Sequence, residues 1–305
     1  MMQAPQGTVL SVDHLPLLKG EKIDTHIVLK GHPLPVLWRN SSLHHTTAPE
    51  LTWKPDNCLY CQQCGEVCPK GCLHITDDGL QIDHEKCDAC GDCVKECPSM
   101  SLQMLGNRTT AGDLLHKTLK QNYSTAEKIG QITITGGEPG LQSAFCADLL
   151  FQIEAAGIPA VLDTSGLAPY GQLLPLLSRP AQIRYELISI NNQLHTHLTG
   201  YGNTLILENL EKVSQEIRPP TELIIRTPLI PDETAIETEI YQTGKWLAEH
   251  VMPNCHGWEL FEPKIICDEI FTFSDKDWAQ ILGWAKDSGF PTEIIYCIDS
   301  SGLQR

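Results

Sequence analysis

Cys58-Leu59-Tyr60-Cys61-Gln62-Gln63-Cys64-Gly65-Glu66-Val67-Cys68-Pro69 returns 29 residues later as Cys87-Asp88-Ala89-Cys90-Gly91-Asp92-Cys93-Val94-Lys95-Glu96-Cys97-Pro98. With only two copies, the repeat describes a small duplicated unit and not a solenoid. Tight C-x2-C-x2-C turns present three thiolates to one iron-sulfur cube, and the fourth cysteine, followed by proline, reaches the neighbouring cube. The spacing therefore leads us to expect two [4Fe-4S] clusters, one on Cys58, Cys61, Cys64 and Cys97, the other on Cys87, Cys90, Cys93 and Cys68. Gly65 and Gly91 let the backbone approach the inorganic sulfides. Zinc knuckles also use C-x2-C, but they lack the third x2 spacing and the Cys-Pro ending. Cys72 stands outside the pattern and reads as a buried thiol. Two adjacent cubes form an electron relay. The acids around them, Asp77, Asp78, Asp83, Glu85, Asp88 and Asp92, read equally as a docking face for a basic redox partner or as a solvated surface.

Outward from this block the composition is that of a globular protein. The 305 residues amount to about two domains at roughly 150 residues each. Apolar residues make up 41% and charged residues 20%, which excludes wholesale disorder, collagen and coiled coil. Lys plus Arg number 22 against 38 Asp plus Glu, a net charge of -16, so neither duplex nucleic acid nor an anionic membrane surface is expected as a partner. The apolar run from Leu223 to Ile230 is broken by Arg226 and Pro228 and falls short of the roughly 20 residues that cross a bilayer. Met1 to Gly20 has neither the basic start nor the apolar stretch of a secretory signal. Nine of the thirteen cysteines lie between positions 58 and 97, so metal ligation in a reducing cytoplasm is expected in preference to disulfides.

After Gly106, β-type runs alternate with helical-period segments, the pattern of a wound α/β sheet. Strands are expected at Gln131 to Thr135, Ala160 to Asp163, Arg184 to Ile190, Glu222 to Arg226, Trp258 to Phe261 and Glu293 to Cys297. Helices are expected at Leu141 to Ala156, Ala168 to Leu177, Leu205 to Ile217, Thr234 to His250 and Asp275 to Ser288. An earlier strand, His26 to Lys30, places the Cys-rich unit as an insertion after the first strand.

Five further stretches follow in order: His26-Ile27-Val28-Leu29-Lys30-Gly31, Thr135-Gly136-Gly137-Glu138-Pro139, Asp163-Thr164-Ser165-Gly166, Leu198-Thr199-Gly200 and Arg226-Thr227-Pro228-Leu229-Ile230-Pro231. In these, and in the ferredoxin-like insert, the chain resembles the glycyl-radical-enzyme activating enzymes of the radical S-adenosylmethionine (SAM) superfamily. The resemblance implies an α/β fold, a partial (β/α)6 barrel of radical SAM type with an inserted small α+β dicluster ferredoxin-like domain. It divides the chain into residues 1–50, the N-terminal segment and first barrel strand with its cluster loop, residues 51–106, the two-cluster insert, and residues 107–305, the rest of the barrel.

In that family a C-x3-C-x2-C loop holds a third [4Fe-4S] cluster that cleaves SAM, and the radical formed removes hydrogen from a glycine of a partner enzyme. The matching loop here runs from Gly31 to Arg39, and its three cysteine positions hold His32, Val36 and Arg39. Valine has no donor atom and a guanidinium keeps its proton, so His32 alone offers a lone pair. One ligand does not hold a cube. By resemblance, Gly136, Gly137 and Glu138 form the GGE turn along the methionine amine, Asp163 and Thr164 match an Asp-Thr pair, and Arg226 matches the arginine before Pro-Leu-Ile-Pro. Gly136, Gly137, Glu138, Asp163 and Arg226 are thus the expected SAM-pocket residues, and no catalytic residue is assigned.

Other positions depart from the family. Its Asp-x-Lys reads Glu186-Leu187-Ile188, and its upstream glycine-containing segment reads Asp13 to Gly20. Lys264 stands near a histidine position as a candidate carboxylate partner. Cys146, Cys255, Cys267 and Cys297 show no cluster spacing and read as core thiols. His44 and His45 read as a polar linker, and His195 and His197 as surface residues. Two functions fit this pattern: a redox or regulatory homologue with two clusters, acting on a redox protein or a glycyl radical enzyme under anaerobic conditions, or a divergent activase that still uses SAM. A purely structural role for the clusters is a third.

Overall fold

The computed structural model describes residues 4–17, 22–35, 46–122, 128–263 and 271–298. β1 (Gln6–Pro16) and β2 (Lys22–Leu29) pair antiparallel. The Cys-rich segment follows with β3 (Glu50–Trp53), the one-turn helix α1 (Gln63–Glu66), the hairpin β4 (Leu73–Thr76) and β5 (Gly79–Ile82), the one-turn helix α2 (Asp92–Lys95), and β6 (Leu102–Leu105), which pairs antiparallel with β3. β7 (Asn107–Thr110) brings the chain back to the edge of β1, and α3 (Ala111–Asn122) leads into the alternating part. That part comprises β8 (Lys128–Gly136), α4 (Ser143–Ala155), β9 (Ala160–Thr164), α5 (Tyr170–Leu173), β10 (Gln182–Glu186), α6 (Asn192–Thr199), α7 (Thr204–Glu216), β11 (Glu222–Pro228), α8 (Glu237–His250), β12 (Gly257–Phe261), α9 (Asp275–Asp287) and β13 (Ile295–Ile298).

The main sheet has the order β13-β12-β11-β10-β9-β8-β2-β1-β7. β2 and β8 to β13 run parallel, each pair joined through helical crossovers or the insert. This is the partial barrel of radical SAM type, with seven parallel strands where the (β/α)6 description counts six. Because side chains alternate across a strand, one face carries Ile183, Tyr185, Leu223, Ile225, Trp258 and Leu260, all fully buried in the main core. The Tyr185 hydroxyl on that face donates to the Ile206 carbonyl of α7 at 2.7 Å. The other face is polar and forms the barrel interior. A separate small core of Leu51, Cys72, Leu73, Leu80, Cys93 and Leu102 lies in the Cys-rich segment.

The differences from the sequence reading have local causes. β1 was not expected. It lies between β2 and β7, antiparallel to both, and its Pro16 falls at the end of the strand, beyond the residues that pair with β7, where the missing N–H costs least. The expected helix at Ala168 to Leu177 is only Tyr170–Leu173, followed by a tighter turn at Leu174–Leu176, because Pro175 cannot donate to an α-helical bond. The strand expected over Arg184 to Ile190 ends at Glu186, and the one expected at Glu293 begins at Ile295 after a turn. Leu198-Thr199-Gly200 is a helix stop: Gly200 caps α6 with φ 75°.

Candidate functional site

In both copies of the repeat the second cysteine is followed by a residue in the left-handed conformation, Gln62 with φ 63° and Gly91 with φ 80°, which turns the chain into a one-turn helix. The result is two hollows. Cys58, Cys61, Cys64 and Cys97 line one, and Cys68, Cys87, Cys90 and Cys93 line the other. Each hollow takes three sulfurs from one copy and the fourth from the other copy, as the spacing requires. Among the described residues, no three His, Cys, Asp or Glu donors converge on a point that one metal ion could occupy. Four soft thiolate donors spread around a hollow fit a cube of iron and sulfide, which when bound supplies a one-electron carrier.

The thiols are not equivalent. Burial pushes Cys93 up to about 11 and raises Cys64 as well. Burial would also raise Cys97, but the Ser101 and Ser99 hydroxyls and the amides of Leu102 and Ser101 outweigh it and bring Cys97 down to about 7. The Ser101 Oγ lies 3.2 Å from Cys97 Sγ. At the matching place in the other copy stands Cys72, its Sγ 3.3 Å from Cys68 Sγ. Burial and the neighbouring sulfurs push Cys72 up to about 12. It also lines the second hollow.

Among the described residues, the barrel mouth is organised without sulfur. The Gly137 N–H donates to the Leu29 carbonyl at 2.9 Å and the Glu138 N–H to the Gly31 carbonyl at 2.8 Å. A Cβ on Gly137 would lie 2.7 Å from that Gly31 oxygen, so the turn needs glycine. With these amides engaged, only the carbonyls of the turn suit an amine ligand. The Glu138 carboxylate is fully buried and is held by four donors: Gly140 N–H at 3.1 Å, Thr164 hydroxyl at 2.7 Å, Ser165 N–H at 2.8 Å and Ser165 hydroxyl at 2.7 Å. It clamps the ends of β8 and β9 together and is spent on the fold.

His32, where the resemblance places the first thiolate, is buried, and its Nδ1 accepts the Leu34 N–H at 3.1 Å. The ring is turned onto its own loop. Val36, Arg39, His44, His45, Lys264 and Cys267 lie outside the described residues. Sequence reasoning missed Lys30, fully buried, whose Nζ donates to the Thr46 carbonyl at 2.7 Å and lies 3.5 Å from Glu50. Burial lowers its pKa, opposed by Glu50. It fastens the strand where the chain leaves the barrel to the point where the Cys-rich segment begins; a lysine closing an apolar strand was the available signal.

Register brings five charged residues onto the interior face. Asp163 lies opposite Arg184, Glu186 opposite Arg226, and Arg226 opposite Glu259. Arg226 Nε donates to Glu259 at 2.8 Å, and its guanidinium lies 4.5 Å from the centre of the Phe261 ring. Burial alone would lower the arginine's pKa, but the carboxylates of Glu259, Asp163 and Glu186 raise it. Asp163 Oδ1 is buried and makes no hydrogen bond among the described residues. Gly136, Gly137, Asp163 and Arg226 thus gather at the mouth, while the Glu138 side chain turns away into its clamp. His195 is not a surface residue: it is fully buried, with Nδ1 2.8 Å from the Tyr201 carbonyl, because α6 packs that face inward. Cys146, Cys255 and Cys297 are buried with raised pKa values caused by burial, as expected of core thiols.

Comparison with known proteins fits this geometry. A 4Fe-4S binding domain family matches residues 80–102, the second copy of the repeat. The isethionate sulfite-lyase activating enzyme of Oleidesulfovibrio alaskensis is 29% identical over 248 residues, 80% of each chain. The (2S)-3-sulfopropanediol dehydratase activating enzyme of Klebsiella oxytoca is 27% identical over 252 residues, 81% of this chain and 78% of that one. The homologues are glycyl-radical-enzyme activating enzymes. A radical SAM methyltransferase from Sphaerobacter thermophilus superposes with a TM-score of 0.50 at 14% identity, over 65% of this chain and 62% of that one. That likeness shows the fold of the activating-enzyme homologue and nothing of its substrate. Among the described residues, no helix is long and apolar enough to cross a membrane.

Proposed function

We propose that this activating-enzyme homologue carries two [4Fe-4S] clusters for electron transfer and lacks the SAM-cleaving cluster, acting as a redox or regulatory relative in the cytoplasm. Residues 51–106 would form the cluster-bearing unit, between barrel segments 1–50 and 107–305. The separate cores support these boundaries. Cys58, Cys61, Cys64 and Cys97 would hold one cluster, and Cys68, Cys87, Cys90 and Cys93 the other. The observation that carries the reading is the end of β2. His32 is buried there with Nδ1 bonded to its own loop, and positions 32, 36 and 39 contain no sulfur. These residues do not fit a third cube. The partner implied is a redox protein, a glycyl radical enzyme or that enzyme's own activase.

A second reading, a divergent activase that binds SAM and makes a glycyl radical on its partner, is favoured by one observation. Asp163 Oδ1 is buried beside Arg226 without a hydrogen bond among the described residues, at the mouth where the family holds its ligand. Anaerobic iron and sulfide quantification on reconstituted protein separates the two. About eight iron atoms per chain, with no 5'-deoxyadenosine released from SAM, supports the first reading, and about twelve with release overturns it.

A further inference from the structure

The two copies of the repeat are controls for each other, since every residue of one has a counterpart 29 positions away. Met100 and Gly71 are such a pair. Both hold the left-handed backbone, with φ 53° and 55°. Glycine adopts it freely, whereas a residue with a Cβ does so at a cost. Met100 accepts that cost, yet its side chain is 72% exposed. Tyr60 repeats the pattern, with φ 54° and 51% exposure, opposite Ala89 with φ 56°. Leu59, 66% exposed, has Asp88 as its counterpart. Three large apolar side chains in water contribute nothing to the fold, and such a group marks a surface used for contact.

All three lie on the two segments that bring Cys58, Cys61 and Cys97 to one hollow. Leu59 lines it with Pro98 and Ser99, the Tyr60 N–H approaches Cys58 Sγ at 3.5 Å, and the Met100 N–H closes a turn on the Cys97 carbonyl at 3.2 Å. The other hollow opens elsewhere. Asp88, Ala89 and Cys90 line an open space together with Ala48, Asn107 and Arg108, on the segments that join the insert to the barrel. One centre therefore has an apolar rim toward solvent, and the other faces the barrel.

From this asymmetry we infer that the Leu59, Tyr60 and Met100 face is the docking surface for a one-electron carrier protein with an apolar centre and a Lys/Arg rim. The inference rests on the two-cluster reading. Between residues 51 and 106 nine carboxylates stand against four lysines, and the exposed Asp56, Glu66 and Glu96 lie within two residues of ligand cysteines. An apolar patch in acidic surroundings is complementary to a basic-rimmed partner. One electron passes between the carrier and the centre held by Cys58, Cys61, Cys64 and Cys97, in either direction, and no bond is made or broken.

The test uses full-length reconstituted protein and cytochrome c, a basic haem protein, as the probe. Binding is read by calorimetry, and electron transfer from the dithionite-reduced protein to ferric haem by stopped flow. The combined variant Leu59→Ser, Tyr60→Ser and Met100→Gly leaves the net charge unchanged. It should weaken both readouts about tenfold while transfer to methyl viologen and the melting temperature hold, and Ala89→Ser should stay within about twofold of wild type. Wild-type behaviour of the combined variant, or slowing by Ala89→Ser in its place, would overturn the inference. So would a wild-type dimer in sedimentation that the combined variant dissolves, because the face would then belong to a second copy. Iron content separates the underlying reading: a wild-type value far from about eight per chain defeats the two-cluster assignment, whereas the calorimetry judges the face.

Discussion

Between Cys58 and Cys97 the chain keeps nine sulfurs around two hollows and little else to hold itself together, whereas at the tops of β2, β8 and β9 most polar groups satisfy one another. The small core of the Cys-rich segment has six buried residues, two of them cysteines, and its helices are single turns. At the mouth, Glu138 alone takes four hydrogen bonds, and the amides of Gly137 and Glu138 are bonded to the end of β2. One region is incomplete without a ligand, and the other is largely complete without one. A segment of this size buries too little apolar surface to fold alone, so metal binding and folding are one process there.

The largest expected effect follows directly. Anaerobic removal of iron by a chelator should abolish amide protection between Cys58 and Cys97 in hydrogen-exchange mass spectrometry, while β8 to β12 keep theirs. Protection surviving in the segment would mean that its six-residue core suffices, and the contrast would collapse. The next test tries to make the mouth resemble the insert. Restoring thiols with His32→Cys, Val36→Cys and Arg39→Cys should add about four iron atoms per chain, since three thiolates suffice for a site-differentiated cube. Iron content unchanged by the triple substitution would show that the loop itself, and not only its side chains, has been rebuilt.

Glu138→Gln probes how far the mouth depends on its own hydrogen bonds. Glutamine keeps one carbonyl oxygen where the carboxylate had two, and turns an amide N–H toward donors. The loss should be about 2–4 kcal/mol in urea unfolding, with iron content unchanged. A cost well below about 1 kcal/mol would mean that the clamp between β8 and β9 is relieved by rearrangement.

Much of this was legible in the sequence because the insert's chemistry lies in spacing. Fixed intervals between cysteines specify which sulfurs meet, and the two hollows collect the two sets the spacing pairs. The parallel strands were legible from their β-branched runs. The mouth was harder to read. A Gly-Gly-Glu turn gives no sign that its carboxylate points into the next strand's Thr164-Ser165 loop, since that contact spans 26 and 27 residues. His195 misled because its spacing to His197 is only weakly helical and suggested solvent, while tertiary packing buried it. β1 escaped notice because its apolar residues are few and its partners lie on either side of the sequence it precedes.

The smallest effect concerns acid. At the foot of the barrel, Asp24 accepts from Gln131 at 2.7 Å and Thr133 at 2.9 Å, and lies 3.1 Å from His26 Nε2. Burial raises its pKa, but the hydrogen bonds from His26, Gln131 and Thr133 and the charge on His26 outweigh it, so the net value falls below the ordinary 3.8. A carboxylate whose folded pKa is lowered contributes stability above its unfolded pKa and loses it as pH falls through the folded value. The stability gap between wild type and Asp24→Asn should therefore hold at neutral pH and narrow below about pH 4. In the insert, Asp83 and Asp92 also have lowered pKa values, caused first by hydrogen bonds from Lys86 and Lys95, but both are open to water. Solvent screens such pairs, so Asp83→Asn and Asp92→Asn should leave the same pH profile unmoved. If the insert variants shifted it and Asp24→Asn did not, the charges that hold this fold in acid would lie in the metal-dependent segment, the reverse of what the burial of the two regions predicts.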